Sequence, residues 1–247
     1  MSRTKLILLG PLAVVVIAVV AAASASEPPA KCGGKVTTTP NYCVAGFQLE
    51  NSKGEAVSEK FVGTNGESTL KGTVASVTAE VKCGKGKWTG TIEDGAGGTV
   101  GKSKATITFE ECKLVKPANC KLTAAQERGI ETTPLMGELE LVSGRIEDKV
   151  ESKAGAFAGI SIEGKESTCG IAEVEKPKTY NITGSQLCEL DSSNTEVETE
   201  AASHKLDCSP SGGSLKIGGN LAEVSDSATL ELSGTKAHDA WSVKEHT

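Results

Sequence analysis

Val77, Ala79, Val81 and Cys83 alternate with Thr78, Glu80 and Lys82, and Ala105, Ile107 and Phe109 alternate with Thr106, Thr108 and Glu110. A period of two buries one face of an extended chain and wets the other, so both runs predict half-buried β-strands. Each run leads to a cysteine. Cys83 keeps the phase of its strand, whereas Cys112 falls out of phase with Ala105 and Ile107, which predicts a bulge or turn near Glu110-Glu111. Residues 88–92, 137–142, 160–164, 179–183, 214–217 and 228–233 read as further strands. Residues 44–50, 129–132, 145–150, 196–199 and 238–244 carry a weaker form of the pattern. Between them Gly84-Lys85-Gly86, Asp94-Gly95-Ala96-Gly97-Gly98, Ser211-Gly212-Gly213 and Gly218-Gly219-Asn220 have the chemistry of turns. Helical propensity gathers only in residues 122–128 (LTAAQER), with Gly129 as a stop. The expected fold is all-β, an antiparallel sandwich or barrel of roughly 10–12 short strands.

The eight cysteines are Cys32, Cys43, Cys83, Cys112, Cys120, Cys169, Cys188 and Cys208. None forms a C-x-x-C pair and the tightest spacing is Cys112 to Cys120, which speaks against zinc and redox motifs and for disulfide staples. Short loops close at the smallest entropic cost, which favours Cys32–Cys43 and Cys112–Cys120 as local clasps. Cys188–Cys208 would close a longer loop around an acidic stretch. Cys83–Cys169 would then tie distant strands.

All eight follow a leader. Arg3 and Lys5 precede an apolar run over residues 6–23, and Ala23-Ser24-Ala25 is an A-x-A cleavage signature. Export with cleavage after Ala25 is the expectation, and retention of residues 1–25 as a membrane anchor is the alternative. Pro29-Ala30-Lys31 before Cys32 is not a lipid-attachment box. The expected organisation is a signal peptide over 1–25, an extended lead-in over 26–41 and a single β domain over 42–247. Two β halves meeting near residue 150 are the alternative. Either leader places the chain outside the cytosol, secreted or at the cell surface.

A formal net charge of −6 gives nucleic acid no cationic face to bind. Three histidines are few for a metal centre, and no cofactor is implied. Residues 96–103 (AGGTVGKS) satisfy a relaxed P-loop string, but Lys104 to Glu110 alternates as a strand where a helix N-terminus is needed, so the string reads as a turn. Ser68-Thr69-Leu70-Lys71 is an S-x-x-K string, faintly echoed by Ser225-Asp226-Ser227 and Ser233-Gly234-Thr235-Lys236. Flanking Gly66 and Gly72, with neither S-D-N nor K-T-G present, make it a chance match. There is no G-x-S-x-G elbow, and a triad using His204 or His238 with nearby carboxylates could only be assembled by the fold. Trp88 is the one side chain singled out as a ligand contact, with a core position as the commoner fate of a lone indole.

The order Val81-Lys82-Cys83, then Thr106-Ile107-Thr108-Phe109-Glu110-Glu111-Cys112, then Cys120, then Gly129-Ile130-Glu131-Thr132-Thr133-Pro134-Leu135-Met136-Gly137-Glu138-Leu139 resembles a group of uncharacterised small exported Cys-containing β proteins of actinobacteria, and Cys169 falls where that group has its fourth cysteine. The likeness covers about half the chain. Arg128-Gly129-Ile130 lacks the group's Gly-Glu-Ile, and Cys32, Cys43, Cys188 and Cys208 are additional. The resemblance implies an exported β protein and brings no activity.

The functional expectation is an exported, non-enzymatic protein with a surface, envelope or extracellular structural or binding role, and with a cell-envelope or extracellular partner. A membrane enters only if residues 1–25 are retained. An exported hydrolase with a site assembled by the fold, and a lipocalin-like small-molecule carrier, are the alternatives.

Overall fold

The computed structural model describes residues 31–32, 35–36, 42–45, 48–51, 58–93, 102–142, 145–191, 196–201, 203–208, 213–237, 239 and 241–244. The expected signal segment, the expected turn over residues 94–98, and His238 and His246 lie outside the described residues, and so do the side chains of Cys32 and Cys43.

The strands begin with β1 (Lys31–Cys32), β2 (Lys35–Val36), β3 (Tyr42–Ala45) and β4 (Gln48–Asn51). There follow β5 (Glu59–Asn65), β6 (Ser68–Val74), β7 (Val77–Glu93), β8 (Lys102–Lys116) and β9 (Cys120–Leu122). After helix α1 (Ala124–Arg128) come β10 (Gly129–Glu131), β11 (Leu135–Val142), β12 (Arg145–Ser152) and β13 (Ala158–Gly164). Helix α2 (Glu166–Cys169) leads to β14 (Lys178–Thr183), β15 (Ser185–Leu190), β16 (Glu196–Ala201) and β17 (Ser203–Cys208). The last are β18 (Lys216–Ile217), β19 (Asn220–Leu232) and β20 (Trp241–Lys244).

Eight of these close a ring. β5, β7, β8, β11, β12, β15, β17 and β19 pair antiparallel in chain order, and β19 returns to β5 with Leu232 opposite Phe61 and Ala228 opposite Asn65. This is an up-and-down barrel, which removes the free edges that an open sheet exposes. The expected antiparallel all-β fold is therefore realised as a barrel.

Three ring strands are longer than the rest: β7 has 17 residues, β8 has 15 and β19 has 13. Their far halves enter a second wall built from the excursions between ring strands. Its order is β9, β13, β14, β18, β19, β6, β7, β8, β10. β7 pairs with β5 over residues 86–92 and with β6 over residues 77–83, so β5 and β6 lie in tandem along one long neighbour. The ends of this wall, β9 and β10, are joined through α1. There the Gln126 amide stands in for a strand: its Nε2 donates to the Gly159 carbonyl at 2.7 Å and its Oε1 accepts the Ser161 N–H at 2.5 Å.

Inward positions follow the period of two. Phe61, Trp88, Ile107, Ile146, Leu206 and Leu232 are buried in the ring, and Leu122, Ile160, Ile162 and Ile217 in the second wall. Gly84-Lys85-Gly86 is not a turn: β7 runs through it. A Cβ at Gly86 would collide with the Asn65 side chain, so here glycine provides room inside a strand. The expected irregularity in β8 is present. Glu111 has φ 59°, and the phase change brings Cys112 back to the interior without ending the strand.

That phase change decides the disulfides. Cys112 lies directly opposite Cys83 on the neighbouring strand, with Cα atoms 3.9 Å apart, and the two are bonded. Cys120, on β9, is bonded to Cys169 at the end of α2, with a Cα separation of 5.2 Å. The expected Cys112–Cys120 and Cys83–Cys169 bonds are thus exchanged for Cys83–Cys112 and Cys120–Cys169. Loop length ranked the short clasp first, but strand register places the partners. Cys188–Cys208 is found as expected, joining β15 to β17.

A separate four-stranded sheet, in the order β16, β20, β3, β4, brings Tyr42–Ala45 beside Trp241–Lys244. Its Trp241 is buried against the ring at the end where β5 begins and β19 finishes.

Candidate functional site

Trp88 is 3% exposed and faces inward among Ile107, Ile160, Ile182 and Cys83 around a void of about 60 Å³. It is core, not surface. Ligand pockets for small organic molecules run to several hundred Å³, so this void is far smaller than the continuous cavity that a lipocalin-like carrier needs.

Beside it lies a buried polar knot at the junction of β5 and β6. Asn65 Nδ2 donates to Ser68 Oγ at 2.7 Å and to Asp226 Oδ1 at 2.8 Å, Ser68 Oγ donates to the same oxygen at 2.9 Å, and the Ser227 N–H adds a fourth contact at 2.8 Å. Burial pushes the Asp226 carboxyl above its ordinary range, against the lowering effect of Ser68, Asn65 and Ser227. The S-x-x-K serine thus bonds to the aspartate of Ser225-Asp226-Ser227. It does so from a strand, with Lys71 exposed on the opposite face and no helix to bring the amine back. The knot ties the point where the chain passes from the ring to the second wall.

His204 is inward on β17, in phase with Leu206 and Cys208, and its side chain is fully buried. Nδ1 lies 2.5 Å from Asp191 Oδ2 and Nε2 lies 2.6 Å from the Trp241 carbonyl oxygen. The ring meets the Trp241 indole edge-on at 4.1 Å. Asp191 also accepts the Lys205 N–H at 2.6 Å. Burial raises the Asp191 carboxyl, but the bond from His204, the Lys205 N–H and the His204 charge together hold it below the usual range. A His–carboxylate pair is two of the three members of a catalytic triad. Here the other nitrogen faces a carbonyl, which can only accept, so Nε2 donates and has no lone pair for a nucleophile's proton.

The same end of the ring holds a second void of about 60 Å³, bordered by Phe61, Leu139, Leu190, Leu206, Leu230 and Trp241. Asp148 and Ser103 also line it, with Lys102 exposed at its margin. Asp148 occupies an inward position of β12, between Ile146 and Val150, both buried. Its carboxyl accepts the Glu138 N–H, and desolvation outweighs that bond and pushes it up to about 6. Trp241 is 4% exposed, and its indole N–H has no partner among the described residues.

The sequence did not single out Asp148. Its signal was present: an acid in phase with Ile146 and Val150, where the pattern calls for an apolar side chain. Lys102 and Ser103, the last residues of the P-loop string, open β8 as a strand. Among the described residues there is no cluster of three or more metal-binding side chains, and no helix long and apolar enough to cross a membrane. Compared with known proteins, the chain has no significant match to any family model, curated protein or solved structure.

Proposed function

We propose that this is an exported, non-enzymatic protein with a structural or binding role at the cell surface or outside the cell. The observation that carries the reading is the engagement of both His204 nitrogens, one with Asp191 and one with the Trp241 carbonyl, which leaves the only histidine among the described residues without a free nitrogen to act as general base. The described disulfides are compatible with an extracellular protein. The resemblance to exported actinobacterial β proteins and the A-x-A leader support export. A closed, stapled wall suits a compartment without chaperones that consume nucleotide.

The test is to assay the purified secreted protein against chromogenic ester, glycoside and peptide substrates, with His204→Gln in parallel. No turnover above buffer is expected for either. Turnover by the native protein that His204→Gln abolishes would overturn the reading.

A further inference from the structure

We propose that the void at the Trp241 end of the barrel is a binding site for a small alkylammonium ion, with Asp148 as its counter-ion and the Trp241 indole as one wall. This deepens the binding half of the function proposed above and rests on it.

A barrel interior filled with apolar side chains has no structural use for a lone carboxylate, which loses hydration there and needs a partner. Asp148 receives one backbone N–H, from Glu138, and no cation pairs with it among the described residues. The chain makes space for this carboxylate. A Cβ at Gly137 would stand 2.6 Å and 2.9 Å from its two oxygens and would collide with Ser103 Oγ, so both polar groups overhang a glycine. No side chain at 137 can sit there without displacing the acid.

The rest of the lining sets the ligand's size and character. Leu139, Leu190, Leu206 and Leu230 provide an aliphatic wall for a short alkyl tail. The Trp241 ring is the kind of aromatic surface that attracts a cation. At about 60 Å³ the void takes roughly four water-sized atoms, the size of propylammonium. Lys102 is also cationic, but it is exposed at the margin, where water and salt screen it. An anion would have to approach Asp148, and a neutral alcohol would leave the carboxylate charge unmatched.

The experiment is a titration of the intact mature protein with propylammonium at pH 7.5, read from the two indole N–H resonances of Trp88 and Trp241, with propanol and propionate as controls. The expected result is a saturable shift of the Trp241 resonance with propylammonium alone. Binding should fall by at least about tenfold in Asp148→Asn and in Gly137→Ala. Absence of a shift, an equal shift with propanol, or unchanged binding in a folded Asp148→Asn protein would overturn the proposal. Asp148→Asn removes a buried charge and keeps the shape, so a melt at least as high as the native one shows that its loss of binding is not unfolding. Failure here leaves the non-enzymatic reading untouched, because that reading is decided by the substrate assay.

Discussion

His204 donates to the main-chain carbonyl of Trp241 across a gap of 2.6 Å, and through that bond a strand of the small sheet is fastened to the wall of the barrel. The imidazole also meets the Trp241 indole edge-on and carries Asp191 on its other nitrogen. His204→Ala would leave a buried carbonyl and a half-buried carboxylate without their partner. A loss of about 2–4 kcal/mol is expected in chemical denaturation, together with a red-shifted, more exposed Trp241 fluorescence.

Asp148 should make stability depend on pH in the unusual direction for an acid. Its folded-state value of about 6 lies above the ordinary 3.8, so the folded protein holds the proton more tightly than the unfolded chain. The stability this provides is complete below pH 3.8 and is lost as pH rises through 6. Lys102 borders the same void, and the Asp191–His204 pair touches Trp241, which also lines it. The contribution of Asp148 is therefore the difference between native and Asp148→Asn curves. Urea melts from pH 4 to pH 8 should show Asp148→Asn gaining about 1–3 kcal/mol on the native protein across that range.

Ala75 and Ser76 connect β6 to β7 in a two-residue hairpin with φ of 46° and 67°, and Val74 lies opposite Val77. Those angles belong to a type I′ turn, which Asn-Gly adopts far more readily than Ala-Ser. The double change Ala75→Asn, Ser76→Gly should raise stability by about 1 kcal/mol, seen as a Tm increase of a few degrees.

Gln126 extends the wall beyond the end of β9 by bonding to β13 with its amide, using both its donor and its acceptor. Gln126→Ala should cost about 1–2 kcal/mol and speed hydrogen exchange at Ser161 N–H. Gln126→Glu can accept but cannot donate to Gly159, and should recover part of the loss.

Peptide mapping without reduction should yield fragments joining Cys83 to Cys112, Cys120 to Cys169 and Cys188 to Cys208. A fragment joining Cys112 to Cys120 alone would contradict the register of β7 against β8.

Much of the barrel wall was legible because alternation is a local property. Residues 77–83, 105–109, 137–142 and 179–183 are strands for the reason that their apolar side chains recur every second position. The phase break at Glu111 was legible too, and so was the short helix stopped at Gly129. The pairing of Cys83 with Cys112 was not. It depends on which residue of β8 meets which of β7, and that register is fixed by contacts distributed over the whole sheet. Glycine misled for a related reason: at Gly86 what matters is the Asn65 side chain lying across it, from another strand. Asp148 went unremarked because its neighbours in sequence, Glu147 and Lys149, make the segment look solvated. Only the interior of a closed ring distinguishes the middle acid from the flanking charges.

The pairing of β19 with β5 has a temporal consequence. The first wall strand waits for the last, so a chain still being synthesised has hairpins but no cylinder. Closure belongs to the finished molecule. Until then both rims of the growing sheet stay open, and the Cys83–Cys112 and Cys188–Cys208 bonds, each between neighbouring ring strands, can hold completed hairpins together while the remainder arrives.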